Sequence, residues 1–511
     1  MTDNRNSDAA WNYHNVTKHS YNSIRTNTHF MDWNNQPLPF KIYPTLEPMH
    51  LPGEVRQSGV AALSAIAERV SAQTNAGPDL EAVAQLLYLS AGITRRRKYS
   101  GGEIYFRAAA CTGALYEVEL YLVCGELGSL EAGVYHFGPA EFGLRKLRAG
   151  DYRGALVAAT GEAAIAHAPL TIICTCTYWR NAWKYQARTY RHFGWDNGTL
   201  LANLLAVATA LGLPAKVVCG FVDASVNRLL DVDTQREVAF SLVALGHADA
   251  LPPKAPAEIL PLRLETVPLS QREVDYPLMR EMHAASSLDS KEEMEEWRGR
   301  APVTDSPPPA GPIISLKPLS DAEMPRDSVE QVIQRRGSTR KFARSAITLA
   351  QLSTMLDRAT RGVPADFLDP AGAQLNHLYL IVHAVEGLSP GAYVFHRSRG
   401  ALECLKQGDF RVDAGYLGLQ QELPADAAVD IFFLADLRPI LQRFGNRGYR
   451  AVQLEAGILG GKLYLAAYAQ RLGATGLTFF DDDVPRFFSP HAEGKSAIFL
   501  VAVGHSAKHK P

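Results

Sequence analysis

Cationic and hydroxyl side chains cluster near residue 336, at the end of a short predicted helix. In the segment "SVEQVIQRRGSTRKFA" they are Arg335, Arg336, Ser338, Thr339, Arg340 and Lys341. Guanidinium groups and hydroxyls that converge on one point can hold a phosphate dianion through charge-assisted hydrogen bonds. A run of this kind is also typical of a solvated basic surface, so the segment taken alone leaves both interpretations open.

A loop of small side chains follows Arg107 in the segment "YFRAAACTGALYEVELYLV". Small residues and a glycine allow backbone N–H groups to approach a flat ligand closely. A tight turn before a strand would have the same composition. The candidate ligand-binding residues of this loop are Arg107, Ala110, Cys111, Thr112, Gly113 and Ala114.

Lys184 and Tyr185 adjoin each other in the segment "WRNAWKYQARTYRHF". Both side chains can transfer a proton near neutral pH if their pKa values are lowered, so the pair is a candidate general acid or base. The alternative is a lysine whose aliphatic stem lies beside a half-buried tyrosine and has no catalytic role.

A long internal repeat carries these candidate residues. The segment that starts at Leu120 matches the one that starts at Leu378, at an offset of 378 − 120 = 258 residues, and 12 of the 34 aligned positions are identical. A second match, one residue out of phase, aligns "KYQARTYRHFGWDNG" from Lys184 with "RFGNRGYRAVQLEAG" from Arg443. Two collinear matches at this spacing indicate two domain-sized copies and not a solenoid.

Each copy shows the same order of elements. A helix precedes an apolar strand ("ELYLVC" or "HLYLIV"), a short strand ("GVYHF" or "GAYVF"), a helix-rich stretch, another apolar strand ("PLTIICTC" or "AVDIFFLA"), a long apolar helix ("GTLLANLLAVATAL" or "GILGGKLYLAAYAQRL") and a last strand ("VAFSLVALG" or "SAIFLVAVG"). Helical and strand periods alternate along the chain, which predicts a layered α+β fold.

The two copies differ where the candidate residues lie. The first copy keeps only Arg69 of the cationic cluster, and the second replaces the small-residue loop by "DFLDPAGAQLNHLYLI". The second copy also has Arg443 and Phe444 in place of Lys184 and Tyr185. Arginine cannot act as a base near neutral pH, and phenylalanine has no proton to transfer. A feature present in one copy and absent from the other suggests a site that is needed once.

The repeat divides the chain into four segments. They are an arm of polar and aromatic residues (1–50), the first half (51–248), a Pro-rich linker (249–328) and the second half (329–511). Proline-rich linkers tend to be extended. Within the linker, the acidic stretch "DSKEEMEEWRGR" predicts a solvated helix that is not a binding site.

The overall composition argues against several classes of protein. The chain is 47% hydrophobic with a net charge of −1, so no positive field would attract nucleic acid or anionic lipid. We expect no membrane span, because the apolar runs are interrupted, and no signal peptide at the polar N-terminus. The six cysteines lack zinc-type spacing, and Cys174 and Cys176 lie in a predicted buried strand. We therefore expect a cytoplasmic globular protein without a metal site.

Taken together, these segments resemble the SagB-type, or azoline dehydrogenase, branch of the nitroreductase superfamily. "RRGSTRKF" resembles the flavin-phosphate motif of that family, "RAAACTGALY" its small-residue loop, and "RTYRHFGWDNGTLLANLLAVATALGL" its dimer-core helix. "NYHNVTKHSYNSIR" and "PFKIYP" resemble its N-terminal segment, so the resemblance covers nearly the whole chain.

The resemblance implies two nitroreductase-like, three-layer α-β-α halves fused as an intramolecular pseudo-dimer, with FMN at their interface. It implies that the first half supplies Lys184, Tyr185 and the loop that runs from Arg107 to Ala114. It implies a contribution from the second half of Arg335, Arg336, Ser338 and Arg340, together with Gly476, Leu477, Thr478 and Phe479. The site related by the repeat would be degenerate, which leaves a single FMN.

Two departures from the family pattern concern contacts to the flavin. Ala110 and Cys111 stand where the family usually has Pro-Ser, so a hydroxyl contact to the flavin would have to come from Thr112. Thr478 and Phe479 stand where the family usually has two glycines, so we expect a different backbone near the flavin N5 atom.

The resemblance implies a dehydrogenase that oxidises azoline rings of a peptide or another small heterocycle. Lys184 and Tyr185 would remove the ring proton, dioxygen would reoxidise the flavin, and a cyclodehydratase complex would be the partner. The alternative enzyme is a reductase that uses NAD(P)H to reduce nitro compounds or quinones. The non-enzyme alternative is a flavin-free scaffold or peptide clamp. The sequence leaves further oligomerisation open.

Overall fold

The computed structural model describes residues 4–99, 102–302, 309–370 and 372–507. Within this part of the chain, no helix is both long and apolar enough to cross a lipid bilayer. The helices of the arm and first half are α1 (Asp8–Val16), α2 (Tyr21–Thr26), α3 (Ala62–Ala65), α4 (Leu80–Ala91), α5 (Arg153–Thr160), α6 (Ala163–His167), α7 (Tyr178–Tyr185), α8 (Thr189–Ala210) and α9 (Asp223–Leu230). The strands are β1 (Met49–His50), β2 (Ile93–Tyr99), β3 (Gly102–Arg107), β4 (Val118–Cys124), β5 (Gly133–Gly138), β6 (Gly143–Ala149), β7 (Leu170–Thr177), β8 (Ala215–Val218) and β9 (Glu237–Leu245).

The linker contains α10 (Pro277–Ala285), α11 (Lys291–Trp297) and β10 (Ile313–Ser315). The helices of the second half are α12 (Val329–Arg335), α13 (Leu349–Ala359), α14 (Arg411–Leu417), α15 (Glu422–Asp426), α16 (Leu437–Phe444), α17 (Arg447–Ala469) and α18 (Asp483–Phe488). Its strands are β11 (Ile347–Thr348), β12 (His377–Val382), β13 (Val385–Glu386), β14 (Gly391–His396), β15 (Ala401–Gln407), β16 (Val429–Ala435), β17 (Gly473–Leu477) and β18 (Ser496–Gly504).

Each half is built on one seven-stranded sheet. The strand order is β1-β6-β5-β4-β7-β9-β8 in the first half and β10-β15-β14-β12-β16-β18-β17 in the second. The two orders are the same once each strand is matched with its counterpart in the repeat. For example, β5 begins at residue 133 and β14 at residue 391, which is 391 − 133 = 258 residues later. The arm and the linker supply the matching edge strands β1 and β10. The predicted duplication of an α+β half is therefore confirmed.

The sheet of the first half is covered on both faces. Leu120 and Leu122 of β4 belong to the large core that includes the long helices, whereas Tyr121 and Val123 belong to a second core with residues of α5 and α9. Successive side chains of a strand point to opposite faces, so both faces of β4 are buried. Burial on both faces explains the continuous apolar runs of the sequence and gives the three-layer arrangement.

The long helices α8 and α17 cross at glycines that the repeat relates to each other. A β-carbon on Gly198 would stand 2.5 Å from the backbone of Gly457, and one on Gly457 would stand 2.6 Å from the carbonyl oxygen of Gly194. Such distances leave no room for a side chain. The shared glycines of the repeat therefore allow the two halves to approach each other along their central helices.

Buried ion pairs also join the two halves, and they too occur twice. In the first half, Arg188 and Arg191 reach Asp481 of the second half at 3.0 and 2.5 Å. The mirror set has Arg447 and Arg450 of the second half on Asp223 of the first, at 2.6 and 2.9 Å. The arginines that the repeat preserves thus bind an aspartate of the other half.

The linker is only partly extended, because its helices α10 and α11 pack onto the halves. In α11, Met294 and Trp297 are buried, whereas Glu292, Glu295 and Glu296 are exposed. The acidic stretch therefore forms the predicted helix with a solvated acidic face, but its apolar side contacts the core.

Candidate active site

The cationic segment of the second half meets the small-residue loop of the first half. Arg336, directly after α12, donates from Nε to the carbonyl oxygen of Ala108 at 2.9 Å and from Nη2 to that of Arg107 at 3.2 Å. Its guanidinium group lies 5.8 Å from the ring centre of Tyr464. Burial lowers the pKa of Arg336. Residues that are about 230 apart in the sequence, 336 and 108, therefore form one region between the halves.

Several cations of this region keep their charge without a neighbouring carboxylate among the described residues. In the described part of the chain, Arg336, Arg340 and Lys184 have no carboxylate partner. Arg340 is exposed and close enough to Lys184 to lower its pKa. The hydroxyl group of Ser338 lies 3.3 Å from that of Tyr464. Unpaired guanidinium groups beside a hydroxyl fit the phosphate group of FMN.

Two of the predicted cations are already engaged with other groups. Arg335 forms an ion pair with Asp327 at 2.7 Å and donates to the carbonyl oxygen of Tyr468 at 2.8 Å. The guanidinium group of Arg107 is buried and donates to the carbonyl oxygen of Pro39 in the arm at 2.7 Å. The structure therefore gives Arg335 and Arg107 protein partners, and their contact with the cofactor stays a prediction.

Tyr185 lies directly against the small-residue loop. A β-carbon on Gly113 would stand 2.8 Å from the hydroxyl oxygen of Tyr185, and Gly113 has a φ of +64°. Ala114 also has a positive φ, of 54°. This left-handed turn presents the backbone of the loop, free of side chains, toward the tyrosine. The turn and the close approach both require glycine at position 113.

The two members of the candidate proton-transfer pair have opposite pKa shifts. Burial lowers the pKa of Lys184, and the nearby Arg340 lowers it further. Burial raises the pKa of Tyr185, and the carboxyl group of Asp196 raises it further. The ammonium group of Lys184 lies 5.3 Å from the ring centre of Tyr185. Lys184 is thus suited to accept a proton, whereas Tyr185 remains protonated and can donate a hydrogen bond.

Buried acidic residues beneath the loop hold it in place, and sequence reasoning missed them. Asp196, in the middle of α8, accepts from the backbone N–H of Thr112 at 2.8 Å and from its hydroxyl group at 2.9 Å. The thiol of Cys111 lies 3.4 Å from Asp196 and 3.5 Å from Glu117. Burial raises the pKa of Asp196, and Glu117 raises it further. The Thr112 hydroxyl therefore points inward, toward Asp196.

Strand β17 forms another wall of the region. The backbone N–H of Gly476 donates to the hydroxyl oxygen of Tyr464, and Leu477 pairs with Leu500 of β18. After the strand, Thr478 accepts a hydrogen bond from Arg188 of the first half at 3.3 Å, and Phe479 is buried. The bulky residues that depart from the family pattern therefore contact the first half. Tyr464, which joins β17 to Ser338, was not predicted.

A basic hairpin made of β2 and β3 reaches toward the cationic segment. Its Arg95 lies 3.6 Å from the position of a β-carbon on Gly337. Arg96 and Arg97 follow it on the exposed strand β2. This hairpin was not predicted to join the site, although its run of cations is visible in the sequence. Its place beside Arg336 adds another positive charge to the region.

The region related to this one by the repeat is filled by the linker. There the indole of Trp297 lies against Phe444, with ring centroids 5.3 Å apart, and 3.0 Å from the position of a β-carbon on Gly220. Phe444 corresponds to Tyr185 through the 259-residue offset, and Gly220 corresponds to Thr478 through the 258-residue offset that also relates Asp223 to Asp481. Nη2 of Arg443 donates to the carbonyl oxygen of Arg298 in the linker at 2.6 Å. The two regions therefore differ, as the asymmetry of the sequence predicts.

Comparison with known protein families assigns both halves to the same family. The profile of the nitroreductase family matches residues 73–247 and again residues 333–505, which is more than half of the chain. A solved structure of a nitroreductase homologue from Anabaena variabilis covers 98% of this chain, with 26% sequence identity and a TM-score of 0.77. This chain covers 99% of that protein, so the duplicated architecture occurs there over its full length.

Two curated relatives match a single half. The nitroreductase homologue MJ1384 of Methanocaldococcus jannaschii is 26% identical over 169 residues, which is 33% of this chain and 80% of that protein. The trifolitoxin-processing protein TfxB of Rhizobium leguminosarum bv. trifolii is 28% identical over 170 residues, 30% of this chain. The match spans 43% of TfxB, less than half of that protein.

Proposed function

Since this chain belongs to the nitroreductase family and is an FMN-dependent oxidoreductase, we propose that it oxidises azoline rings, thiazolines or oxazolines, to azoles. The observation that carries the proposal is the placement of Lys184, with its lowered pKa, beside the unpaired cations of the other half. The similarity to a trifolitoxin-processing protein supports a substrate in the maturation of a natural product. A peptide-borne ring and a cyclodehydratase partner belong to the same proposal.

The chemistry requires the loss of two hydrogens from the ring. One leaves as a proton from a ring carbon, and the other leaves with its electron pair as a hydride. When bound, FMN supplies the hydride acceptor. Lys184 takes the proton at its amine nitrogen, because burial and Arg340 favour the neutral form that can do so. Tyr185 keeps its own proton and orients the substrate through a hydrogen bond.

The backbone around Gly113 and the cations of the second half have separate tasks in this proposal. Arg336, Arg340 and Ser338 hold the phosphate group of the cofactor. The loop from Ala110 to Ala114, which Asp196 holds through Thr112, would face the flat ring system of the cofactor. Both halves thus contribute to a single site, and the linker fills the corresponding space on the other side with Trp297.

The test is anaerobic single-turnover reduction of the bound flavin by a peptide that carries a thiazoline. General acid–base catalysis typically contributes about 10²–10⁴-fold, so Lys184→Ala should slow flavin reduction by about that range. Tyr185→Phe removes the hydroxyl group that orients the substrate, so it should also slow flavin reduction, and flavin content should stay unchanged in both variants. The mirror change Arg443→Ala should leave the rate near that of the parent. Parent-like rates in both Lys184→Ala and Tyr185→Phe would show that the pair is only structural.

The alternative activity is reduction of nitro compounds or quinones by NAD(P)H. The same protein, mixed anaerobically with NADH or NADPH, distinguishes the two. Fast bleaching of the flavin by a nicotinamide and none by the thiazoline peptide would replace the proposed dehydrogenase with a reductase.

A further inference from the structure

A second cavity lies between the two halves, on the side opposite the candidate active site. Its volume is about 770 Å³, within the range of small-molecule pockets. This cavity is the counterpart of the phosphate-binding region. Arg69 lies after α3 in the first half, and its counterpart Arg336 lies after α12 in the second half. Leu205 on its wall corresponds to Tyr464 through the offset of 464 − 205 = 259 residues. The exposed residues Glu68 and Gln73 lie at its rim, so the cavity opens to the surface.

Three cations converge at one end of this cavity. Lys462 of α17 is only 4% exposed, and its amine donates to the carbonyl oxygen of Gly362 at 2.8 Å. A β-carbon on Gly362 would overlap the guanidinium group of Arg69 and would stand 3.5 Å from Nη2 of Arg397. Because Lys462 has three N–H donors and one is used, donors remain for a ligand.

Among the described residues, acidic groups neutralise this end only in part. In the described residues, neither Arg69 nor Lys462 has a carboxylate partner. The buried acids that line the cavity are engaged elsewhere: Glu162 with Lys216 at 2.9 Å, and Asp366 with the backbone N–H groups of Cys219 and Gly220 at 2.9 and 2.8 Å. Lys462 is buried, and its charged form is costly there unless an anion accompanies it.

Apolar side chains form much of the remaining wall. They include Ile66, Leu205, Leu213, Val363 and Leu368, all at least nine-tenths buried. The place that corresponds to the ring-binding part of the other site is occupied by Trp297. The cavity therefore has room for a compact organic molecule but not for a second cofactor in the same pose.

We propose that this cavity binds a small organic anion whose carboxylate or phosphate group lies against Lys462 and Arg69 and whose apolar body fills the rest of the space. The site is separate from the redox reaction and does not depend on it. Both anionic groups satisfy the same donors, so the experiment includes one probe of each kind. The degenerate half of the duplication thus retains a ligand site of a different chemistry.

The protonation of Lys462 agrees with a site made for an anion. Burial first, and then the charges of Arg69 and Arg397, lower the pKa of Lys462 to about 7. Glu455 stands near Arg397 and offsets part of its charge. A bound anion would restore the charged form of Lys462. Binding at pH 8 should therefore take up protons, which titrations in buffers of different ionisation enthalpy detect.

The experiment is calorimetric titration of the FMN-loaded full-length protein with benzoate, phenyl phosphate and neutral benzyl alcohol. We expect saturable binding of at least one anion at a single site per chain, with no saturable binding of the alcohol. Arg69→Ala should weaken anion binding by about ten- to a hundredfold, the usual effect of a lost charge-assisted hydrogen bond, and leave flavin content unchanged. Lys462→Met should act in the same direction.

The matched control is Arg361→Ala, which removes an exposed arginine paired with Asp357 that does not line the cavity. It should leave anion binding at the parent value. Arg69 is exposed, so its variant is expected to fold even if Lys462→Met does not. No saturable binding of either anion, equal binding of the alcohol, unchanged affinity in Arg69→Ala, or a second FMN displaced by the probes would each overturn the proposal.

Discussion

The indole of Trp297 packs against Phe444, with ring centroids 5.3 Å apart, and its N–H donates to the Phe444 carbonyl oxygen at 3.0 Å. Phe444 corresponds through the repeat to Tyr185, which lies 444 − 185 = 259 residues earlier in the sequence. A linker residue therefore packs against the counterpart of Tyr185. The linker, and not only the loss of side chains, makes the two sites unequal.

This relationship predicts a single FMN per chain. Flavin released by denaturation should be quantified by its absorbance against the protein concentration from amino-acid analysis. Trp297→Ala removes the indole but does not restore the missing cations, so this variant should also hold a single FMN. A content approaching two flavins per chain in the parent protein would contradict the inequality of the two sites.

The cationic segment should bind the cofactor in one half only. Arg336→Ala removes a guanidinium group that contacts the loop of the other half, and we expect FMN affinity to fall by about ten- to a hundredfold. Arg69→Ala, the equivalent change in the first half, should leave FMN affinity unchanged. Fluorescence titration of the apoprotein with FMN measures both variants. Equal losses in the two variants would remove the basis for assigning the phosphate to the second half.

Much of the fold could be predicted because the repeat presents each element twice. Strand β12 (His377–Val382) and strand β18 (Ser496–Gly504) have the bounds of the predicted apolar runs. Strands β6 and β15 were missed, since "GLRKLRA" and "ALECLKQ" mix charged and apolar residues. Helix α8 begins at Thr189, well before its apolar stretch. Its first turns contain polar residues such as Arg191 and Asp196, which are buried by partners distant in the sequence, and the local pattern does not reveal those partners.

The candidate site was predicted in part for the same reason. Asymmetry between the copies pointed to Arg336, Arg340, Lys184 and Tyr185, which the structure brings into one region. Tyr464 and Asp196 lie on long core helices, where a polar residue among apolar ones is the only local signal. The role of Trp297 could not be seen, because it depends on the path of the linker across a distant part of the chain.

The interface between the halves should depend on Asp481. Burial alone would raise the pKa of Asp481, but Arg188 and Arg191 outweigh this effect and hold the pKa well below its usual range. Removing one partner of a buried ion pair typically costs about 3–5 kcal/mol, so Asp481→Asn should lower the melting temperature markedly. Asp482→Asn, an exposed neighbour paired with Lys18, is the control and should change it little.

Asp481 should also make the stability of the fold depend on pH. Because its folded-state pKa is depressed, the stabilisation by Asp481 is fully present above the unfolded value of about 4 and is lost as pH falls below it. Melting temperatures of the parent should therefore fall more steeply than those of Asp481→Asn as the pH is lowered from about 5 to 3. Parallel curves for the two proteins would show that the ion pairs contribute little.

The turn at Gly113 should be intolerant of a side chain. In Gly113→Ala, the β-carbon would stand 2.8 Å from the Tyr185 hydroxyl oxygen, and the φ of +64° would add backbone strain of roughly 1–3 kcal/mol. Gly128→Ala has nearly the same φ, +62°, in open space, so it separates strain from displacement of Tyr185. Both variants should lose similar thermal stability. Only Gly113→Ala should slow flavin reduction by the thiazoline peptide. Equal rates of flavin reduction in the two variants would show that the contact between Gly113 and Tyr185 does not affect the reaction.

The pH dependence of turnover should reveal the influence of Arg340 on Lys184. If neutral Lys184 accepts the ring proton, kcat/KM should rise with pH through the pKa of that amine. Burial lowers this pKa first, and Arg340 lowers it further, so replacing the guanidinium group should raise it. Arg340→Met at saturating FMN should therefore move the rising limb of the profile to higher pH without abolishing the plateau. Lys341→Met removes an adjacent exposed cation and should leave the limb in place. If Arg340→Met changes only the height of the profile, its charge does not act on the proton acceptor, and the base must be sought among other residues.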